Sequence, residues 1–183
     1  MIFETDNFMI STVEEKDIED VLEIYNSNTE FLQKHMDRSE ITIEWLKEEL
    51  EEMKRAGFNS YKMIEKSAGK TFGILDIKIA EESYLSLLMI HNDYKDKGYG
   101  KEIYTKIEDY IKTSTSKSIR IDVVTDYNRK VENFWERNGF KKVGYVELNW
   151  TGKRLPAVTM RKKIRNLHTE HIFPYNKHIH HKS

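Results

Sequence analysis

The sequence predicts an α+β fold with a mixed, mostly antiparallel central sheet flanked by helices. Three strand-like segments follow one another in the middle of the chain, at 61–65, 71–79 and 84–90, with only short turns between them. Stretches with apolar residues at helical spacing lie before and after this block, but they do not alternate one for one with the strands. The predicted order is β-α-α-β-β-β-α-β-α-β-β, which favours α+β over a doubly wound sheet.

Composition narrows the range of partners. The chain has 183 residues, enough for one domain with a sizeable core. Its 30 lysines and arginines balance 31 acidic residues, so we expect neither a nucleic-acid nor a membrane partner. There is no cysteine, and no apolar run approaches the ~20 residues of a membrane span. These features lead us to expect a soluble, cytoplasmic protein.

The N-terminal part predicts one strand and two helices. A short strand at 8–11 is followed by Thr12 and Glu15 at capping-box spacing. We expect 26–41 to be irregular and a second helix with an acidic outer face to follow Thr42. The first helix buries residues at i, i+3, i+4 and i+7: Ile18, Val21, Leu22 and Tyr25.

The remaining elements follow the central strands. Apolar residues at helical spacing predict a helix from Tyr99 to Ile111, and a buried strand is expected at 118–125. A short helix that contains Trp135 should end at Asn138-Gly139. The last predicted elements are the two strands of a hairpin, at 140–150 and 155–162.

A basic loop with two glycines, 91–101, precedes the long helix. Glycine lets the backbone approach a ligand closely, and the helix N-terminus carries about half a positive charge. The segment therefore predicts a phosphate-binding turn, although Gly98-Tyr99-Gly100-Lys101 fits neither the P-loop pattern nor the dinucleotide fingerprint. Three lysines add mobile positive charge: Lys95, Lys97 and Lys101.

A domain boundary is expected near residue 163. Residues 1–163 carry all of the predicted elements and should form a single domain. Periodicity is lost in 164–183, a basic, histidine-rich tail. Histidine clusters can bind metal, but termini are poorly ordered unless they are tied down. We therefore expect a flexible tail and no metal site.

Several of these residues, at correlated spacings, resemble the GCN5-related N-acetyltransferase (GNAT) superfamily. Its Arg/Gln-x-x-Gly-x-Gly/Ala pattern at a strand-to-helix junction is similar to Lys95-Asp96-Lys97-Gly98-Tyr99-Gly100. A downstream asparagine is matched by Asn128, and Trp135-Glu136-Arg137-Asn138-Gly139-Phe140 resembles the family's aromatic-Glu-Lys-x-Gly-Phe segment. The resemblance covers roughly residues 8 to 163 and implies the acyl-CoA N-acyltransferase fold.

The resemblance also implies that acetyl-CoA is the acyl donor. The main chain of Met89 and Ile90 would hydrogen-bond its pantetheine arm as an added strand does. The arm would fill a gap where this strand splays from the next, with Asn128 on the pantetheine and Phe134 near its thiol end. The pyrophosphate would bind the backbone amides of the loop: Lys95, Asp96, Lys97, Gly98, Tyr99, Gly100 and Lys101.

Departures from the family pattern leave the catalytic residues unknown. Lys95 keeps a positive charge but lacks the planar fork of arginine. Trp135 replaces the tyrosine thought to protonate the leaving thiolate, and an indole N–H is no practical proton source at neutral pH. Ser86 and Leu87 occupy the positions of the strand carboxylate often used as general base. Several substitutes remain open: Glu81, Glu82, His91, Asp126 and Tyr127.

In this family the acceptor pocket is built mostly from the first two helices and the last hairpin. Side chains there would suit an amine, although core packing or solvent exposure is the alternative for each: Tyr25, Phe31, His35, Trp45, Tyr145, Glu147 and Trp150. The implied activity is direct transfer of an acetyl group to a primary amine of a small molecule or a peptide N-terminus, by a monomer or homodimer. The alternative is a catalytically weak acyl-CoA-binding or sensing module.

Overall fold

The computed structural model describes residues 1–125 and 129–167. The predictions for Asp126, Tyr127, Asn128 and most of the tail therefore lie outside the described residues. The strands are β1 (Phe3–Glu4), β2 (Phe8–Thr12), β3 (Asn59–Glu65), β4 (Lys70–Lys78), β5 (Glu82–Ile90), β6 (Ser118–Val124), β7 (Lys141–Trp150) and β8 (Lys153–Lys163). The helices are α1 (Ile18–Ser27), α2 (Thr29–Met36), α3 (Ile43–Arg55), α4 (Tyr99–Lys112) and α5 (Arg129–Arg137).

The eight strands form one sheet in the order β1-β2-β3-β4-β5-β6-β8-β7. Neighbouring strands are antiparallel, except that β5 and β6 run parallel. The exception follows from the connections, because helix α4 links β5 to β6 whereas short turns link β3 to β4 to β5 and β7 to β8. The mixed, mostly antiparallel sheet predicted from the sequence is confirmed.

Helices cover the sheet on both faces. On one face, α4 and α5 pack on the sheet through residues such as Ile107 and Trp135. On the other face, α1, α2 and α3 cover β4 and β5, with Leu32 and Leu46 fully buried. Because β4 lies between both layers, residues 71–77 are all buried. Strand β4 is therefore covered on both faces.

The segment 26–41, expected to be irregular, contains helix α2. The helix is short because Asn28 separates it from α1 and Asp37 ends it with a left-handed backbone, φ 54°. Eight residues between two breaks give too little periodicity to stand out in the sequence. The signal is present only as two i, i+4 pairs, Phe31 with His35 and Leu32 with Met36.

The start of α1 also differs from the prediction. Strand β2 continues through Thr12, so the predicted capping box of Thr12 and Glu15 is wrong. A 3-10 turn at Glu15–Asp17 leads into α1 instead, and the Asp17 carboxylate accepts a hydrogen bond from the backbone N–H of Glu14 at 2.8 Å. Lys62 of β3 donates to the other oxygen of Asp17 at 2.5 Å, which ties the helix start to the sheet.

A buried carboxylate lies in the middle of β4. Asp76 is 3% exposed and accepts a hydrogen bond from the Ser60 hydroxyl of β3. Burial raises its pKa to about 7; the Ser60 bond opposes this rise, and the carboxylate of Glu49 on α3 adds to it. Because the folded pKa exceeds the unfolded value of about 3.9, the folded state binds this proton more tightly.

We predict that replacing Asp76 by asparagine flattens the pH dependence of stability. In the wild type, the free energy of unfolding should fall as pH rises from about 4 to about 7, by up to roughly 4 kcal/mol from this group. Asp76→Asn keeps an acceptor for Ser60 but does not ionise. Denaturant titrations of both proteins at several pH values measure the difference, and parallel curves would contradict the prediction.

Candidate functional site

Strands β5 and β6 part after three paired residues. Their parallel ladder joins residues 82–84 to residues 118–120 only. Strand β5 nevertheless continues to Ile90 along β4, and β6 continues to Val124 along β8. The two strands therefore diverge and leave facing backbone edges without a neighbouring strand. The gap that the family resemblance implies is present in the structure.

A buried polar network holds the point where the strands part. The Asp122 side chain of β6 is 1% exposed. It accepts hydrogen bonds from the Tyr84 hydroxyl of β5 and the Thr159 hydroxyl of β8, both at 2.7 Å, and from Arg120 at 2.9 and 3.2 Å. A buried carboxylate is costly unless it is well hydrogen-bonded, so this network fixes three strands at one point.

A β-bulge lies just beyond this point on β5. The ladder to β4 pairs Asp76 with Leu87 and Ile77 with Leu85, which leaves Ser86 as the extra residue. A bulge bends its own strand and increases the local twist. Its position favours the divergence of β5 from β6.

The gap forms a cleft of about 260 Å³. Residues 85–90 of β5 form one wall and residues 121–124 of β6 form the other. Val131 and Trp135 of α5 line it from one face of the sheet, and Phe31 and His35 of α2 from the other. The cleft is therefore lined mostly by apolar side chains and bordered by both helical layers, as expected of a ligand site.

The edge of β5 presents main-chain groups to the cleft at alternate residues. The His91 N–H donates to the Phe72 carbonyl of β4 at 2.7 Å. In an antiparallel ladder the main chain of Met89 then also faces β4, and that of Ile90 faces the cleft. Of the two residues predicted to bind pantetheine through their main chain, only Ile90 thus presents it to the cleft.

The loop after β5 has a backbone suited to an anion. Asp96 and Gly98 have left-handed conformations, with φ of 59° and 83°, and α4 begins at Tyr99. Residues of this conformation turn consecutive N–H groups toward one point, and the helix N-terminus adds positive potential. The side chains of Lys95, Lys97 and Lys101 are exposed around it. The structure thus brings the predicted phosphate-binding residues together.

Gly100 permits a close approach between two helices. A Cβ added there would lie 3.1 Å from Cε2 of Phe134 on α5, closer than ordinary van der Waals contact. The glycine therefore lets Phe134 pack against the first turn of α4. The basic loop with its left-handed residues, and the open strand edge of β5 next to it, fit an extended pyrophosphate ligand such as acetyl-CoA.

The junction of α1 and α2 is joined to the end of β5 by two side chains. The buried Asn28 side chain donates to the carbonyls of Ile24 at 2.8 Å and Ile90 at 3.0 Å. The Ser27 hydroxyl accepts from the Asn92 N–H at 3.0 Å. These bonds fix α2 relative to the cleft. Asn28 was not identified from the sequence. The one feature that could have indicated it is that asparagine, a preferred helix-capping residue, stands there between two apolar stretches.

His35 of α2 lines the cleft and is 8% exposed. Its Nδ1 lies 2.9 Å from the Phe31 carbonyl, which can only accept, so Nδ1 carries the proton. Burial lowers the pKa of His35, and the positive charges of Lys153 and Lys34 lower it further. The hydrogen bond to the Phe31 carbonyl opposes these effects. The ring is therefore neutral at pH 7, with Nε2 as its basic nitrogen.

Aromatic side chains extend from His35 toward an acidic pocket. The ring of Phe31 stacks on His35 at 3.9 Å, and Trp150 packs edge-on against both. On its other side Trp150 contacts Trp45, and its Nε1 donates to Glu49 at 3.1 Å. Burial raises the pKa of Glu49, although the Trp150 bond opposes the rise. Trp45, Trp150 and Glu49 border a pocket of about 290 Å³, which is completed by Arg38, Glu48, Glu52 and Thr151.

Other sequence candidates lie away from the cleft. Glu81 pairs with Lys117 and Glu82 with Arg161, at the closed end of the β5–β6 pair. The Nδ1 of His91 accepts a hydrogen bond from the Asp93 N–H at 3.1 Å, and its ring does not line the cleft. On β7, Tyr145 and Glu147 are exposed, on the face opposite Trp150.

Trp135, at the usual tyrosine position, is part of the core. It is 8% exposed and packs edge-on against Tyr104, Phe134 and Phe140 at 4.9–5.4 Å. Its ring also lines the cleft. The residue therefore supplies an apolar surface there rather than a proton.

The described residues contain neither a metal-binding cluster nor a membrane-spanning helix. Across 1–125 and 129–167, no group of three histidine or acidic side chains is placed to hold a metal ion. None of the helices in those ranges is long and apolar enough to cross a membrane.

Just after β8, Ile164 still packs on the core, and its N–H donates to the Lys117 carbonyl at 3.0 Å.

Comparisons with known proteins agree with this geometry. A family model described as an acetyltransferase (GNAT) domain matches residues 10–149, which confirms the family resemblance. No curated protein sequence matches. Among solved structures, spermidine N-acetyltransferase from Vibrio cholerae, in complex with CoA and spermine, is 14% identical, with a TM-score of 0.68 over 87% of this chain and 96% of that one.

Two further solved structures share the fold. The ribosomal-protein-S18-alanine N-acetyltransferase from Escherichia coli is 15% identical, with a TM-score of 0.65 over 91% of this chain and 99% of that one. An acetyltransferase from Thermus thermophilus is 18% identical, with a TM-score of 0.70 over 86% of this chain and 97% of that one. At these identities the similarity establishes the fold.

We predict that Asn28→Ala destabilises the protein by roughly 2–4 kcal/mol. The change removes a buried amide and leaves the Ile24 and Ile90 carbonyls without this donor. Denaturant unfolding measures the loss. Asn149→Ala, at an exposed position of β7, is the control and should stay within about 0.5 kcal/mol of the wild type. Equal effects of the two changes would contradict a specific role for Asn28.

Proposed function

The chain belongs to the GNAT acetyltransferase domain family, and from this we propose that it is an acetyl-CoA-dependent N-acetyltransferase. The main observation behind this proposal is the gap between β5 and β6, which opens beside the loop that contains Asp96 and Gly98. A pyrophosphate would bind the loop amides, and the pantetheine arm would enter the gap as an added strand along Ile90.

The proposed reaction is a direct acyl transfer. The acceptor nitrogen forms a bond to the thioester carbonyl carbon, the carbon–sulfur bond breaks, and the sulfur leaves as the thiolate. The nitrogen loses one proton and the thiolate gains one, so the products are an amide and the free thiol of CoA. Holding both reactants in one cleft supplies part of the rate enhancement, because it replaces a bimolecular encounter.

We assign the role of general base to His35. A neutral imidazole accepts a proton at Nε2 while the Phe31 carbonyl holds the proton on Nδ1. The ring lies on the face of the cleft where α2 meets β5, which is the face that an acceptor would approach. This position was included in the predicted acceptor pocket but was not considered as a base.

The acceptor is proposed to be a primary amine of a small molecule or a peptide N-terminus. The pocket beside Trp150 has three carboxylates and one guanidinium, from Glu48, Glu49, Glu52 and Arg38. Such a pocket favours a positively charged amine, and the indoles of Trp45 and Trp150 add cation–π surface. A panel of diamines, neutral-side-chain amines and peptide N-termini, with release of CoA thiol as readout, tests this preference.

We predict that acetyl-CoA binds at micromolar strength or better in calorimetric titration, with dephospho-CoA and ATP as comparison ligands. Gly100→Asp should weaken binding at least about tenfold, because it adds a negative charge near the pyrophosphate and crowds Phe134. Gly144→Asp is the matched control, since a Cβ there meets nothing within 4 Å. Unchanged affinity in folded Gly100→Asp would refute the loop assignment.

We predict that His35→Asn lowers turnover by about 10²- to 10⁴-fold, the usual contribution of a general base. Asparagine can still donate to the Phe31 carbonyl but has no basic nitrogen. Acetyl-CoA affinity should stay within about twofold of the wild type, which separates loss of catalysis from loss of the fold. Turnover close to that of the wild type would show that His35 is not the general base.

The second candidate function is a catalytically weak acyl-CoA-binding or sensing module. The observation in its favour is Trp135, a buried indole that cannot protonate the leaving thiolate. Tight acetyl-CoA binding without thiol release across the whole amine panel would support this alternative. Thiol release that depends on both the amine and His35 would exclude it.

A further inference from the structure

We propose that the Ser86 hydroxyl donates a hydrogen bond to the carbonyl oxygen of the bound acyl thioester. The inference rests on the proposed function, because it requires an acyl-CoA in the cleft. The starting observation is that the Ser86 Oγ is buried and has no hydrogen-bond partner among the described residues. Buried hydroxyls are nearly always bonded, so an exception on the wall of a binding cleft calls for an explanation.

Other polar side chains along the two strand walls do not compete for this role. Of residues 85–90 on β5, Ser86 alone has a polar side chain. Of residues 121–124 on β6, only Asp122 is polar, and its carboxylate accepts four hydrogen bonds and has no proton to donate. Among the side chains of these two strand walls, the Ser86 hydroxyl is therefore the one that can donate to a carbonyl in the cleft.

The position of Ser86 along the cleft agrees with the acyl end of the ligand. Ser86 lies four residues before Ile90, roughly 13 Å along the strand at its usual rise. The loop that would bind the pyrophosphate follows Ile90, so an arm that runs along β5 carries its thioester toward Ser86. Because Ser86 is the bulged residue, it is also outside the regular ladder to β4.

The energetics distinguish a functional hydroxyl from a structural one. A hydroxyl that bonds within the protein stabilises the fold, so its removal destabilises the protein. An unbonded buried hydroxyl has lost its hydrogen bonds to water without gaining others, so its removal in an alanine variant is neutral or stabilising. Ser86 is expected to follow the second pattern for stability and still to matter for the ligand, where a donor to the carbonyl favours charge that develops on the oxygen.

The test compares the affinities of acetyl-CoA and CoA for the wild type and Ser86→Ala by calorimetry. The ratio of CoA to acetyl-CoA dissociation constants should fall about three- to tenfold in the variant, while CoA itself binds equally well. The thermal midpoint should be unchanged or higher. Ser86→Thr, which keeps the hydroxyl, should restore the ratio. An unchanged ratio in Ser86→Ala would overturn the proposal.

Ser83→Ala is the matched control on the same strand. Ser83 is fully buried, and its hydroxyl bonds both to the Ala80 carbonyl and to the Ala80 N–H. Its removal should lower the thermal midpoint without changing the affinity ratio, the opposite of Ser86→Ala. A wild type that binds neither CoA nor acetyl-CoA would instead refute the proposed function, so the two failures are distinguishable.

Discussion

The hydrogen bond between Tyr84 and Asp122 joins β5 to β6 at the end of their short ladder, and the cleft begins just beyond it. Asp122 fixes the closed end of the cleft, because it bonds β5, β6 and β8 at one point. Beyond that point the bulge at Ser86 turns β5 away, so the opening is part of the fold itself.

The second constraint acts at the open end. Ser27 and Asn28 bond to Asn92 and Ile90, so the end of β5 cannot move without α1 and α2. This connection sets His35 on α2 at a fixed place relative to the cleft wall. A site that two elements hold from both ends is preorganised, and less free energy is spent on ordering it when ligands bind.

Much of the fold, but less of the site, could be predicted from the sequence. The loop from Lys95 to Lys101 was found because glycine, positive charge and helical periodicity are local features. Helix α2 was missed because it is short, and its residues include His35. Ser86 was recognised only as a missing carboxylate, since a bulge depends on the register with β4 and leaves no mark within one strand.

Two buried polar side chains on the cleft wall, Ser86 and His35, are proposed to act on the bound reactants. Ser86 has a hydroxyl without a partner, and burial weakens the basicity of His35. Each costs some stability, and neither cost is needed to hold the sheet, because Asp122 and Asn28 already do so with satisfied hydrogen bonds. Asp122 and Asn28 thus use their hydrogen bonds within the protein to hold the site, whereas the Ser86 hydroxyl, which is proposed to act on the ligand, has no such bond to the described residues.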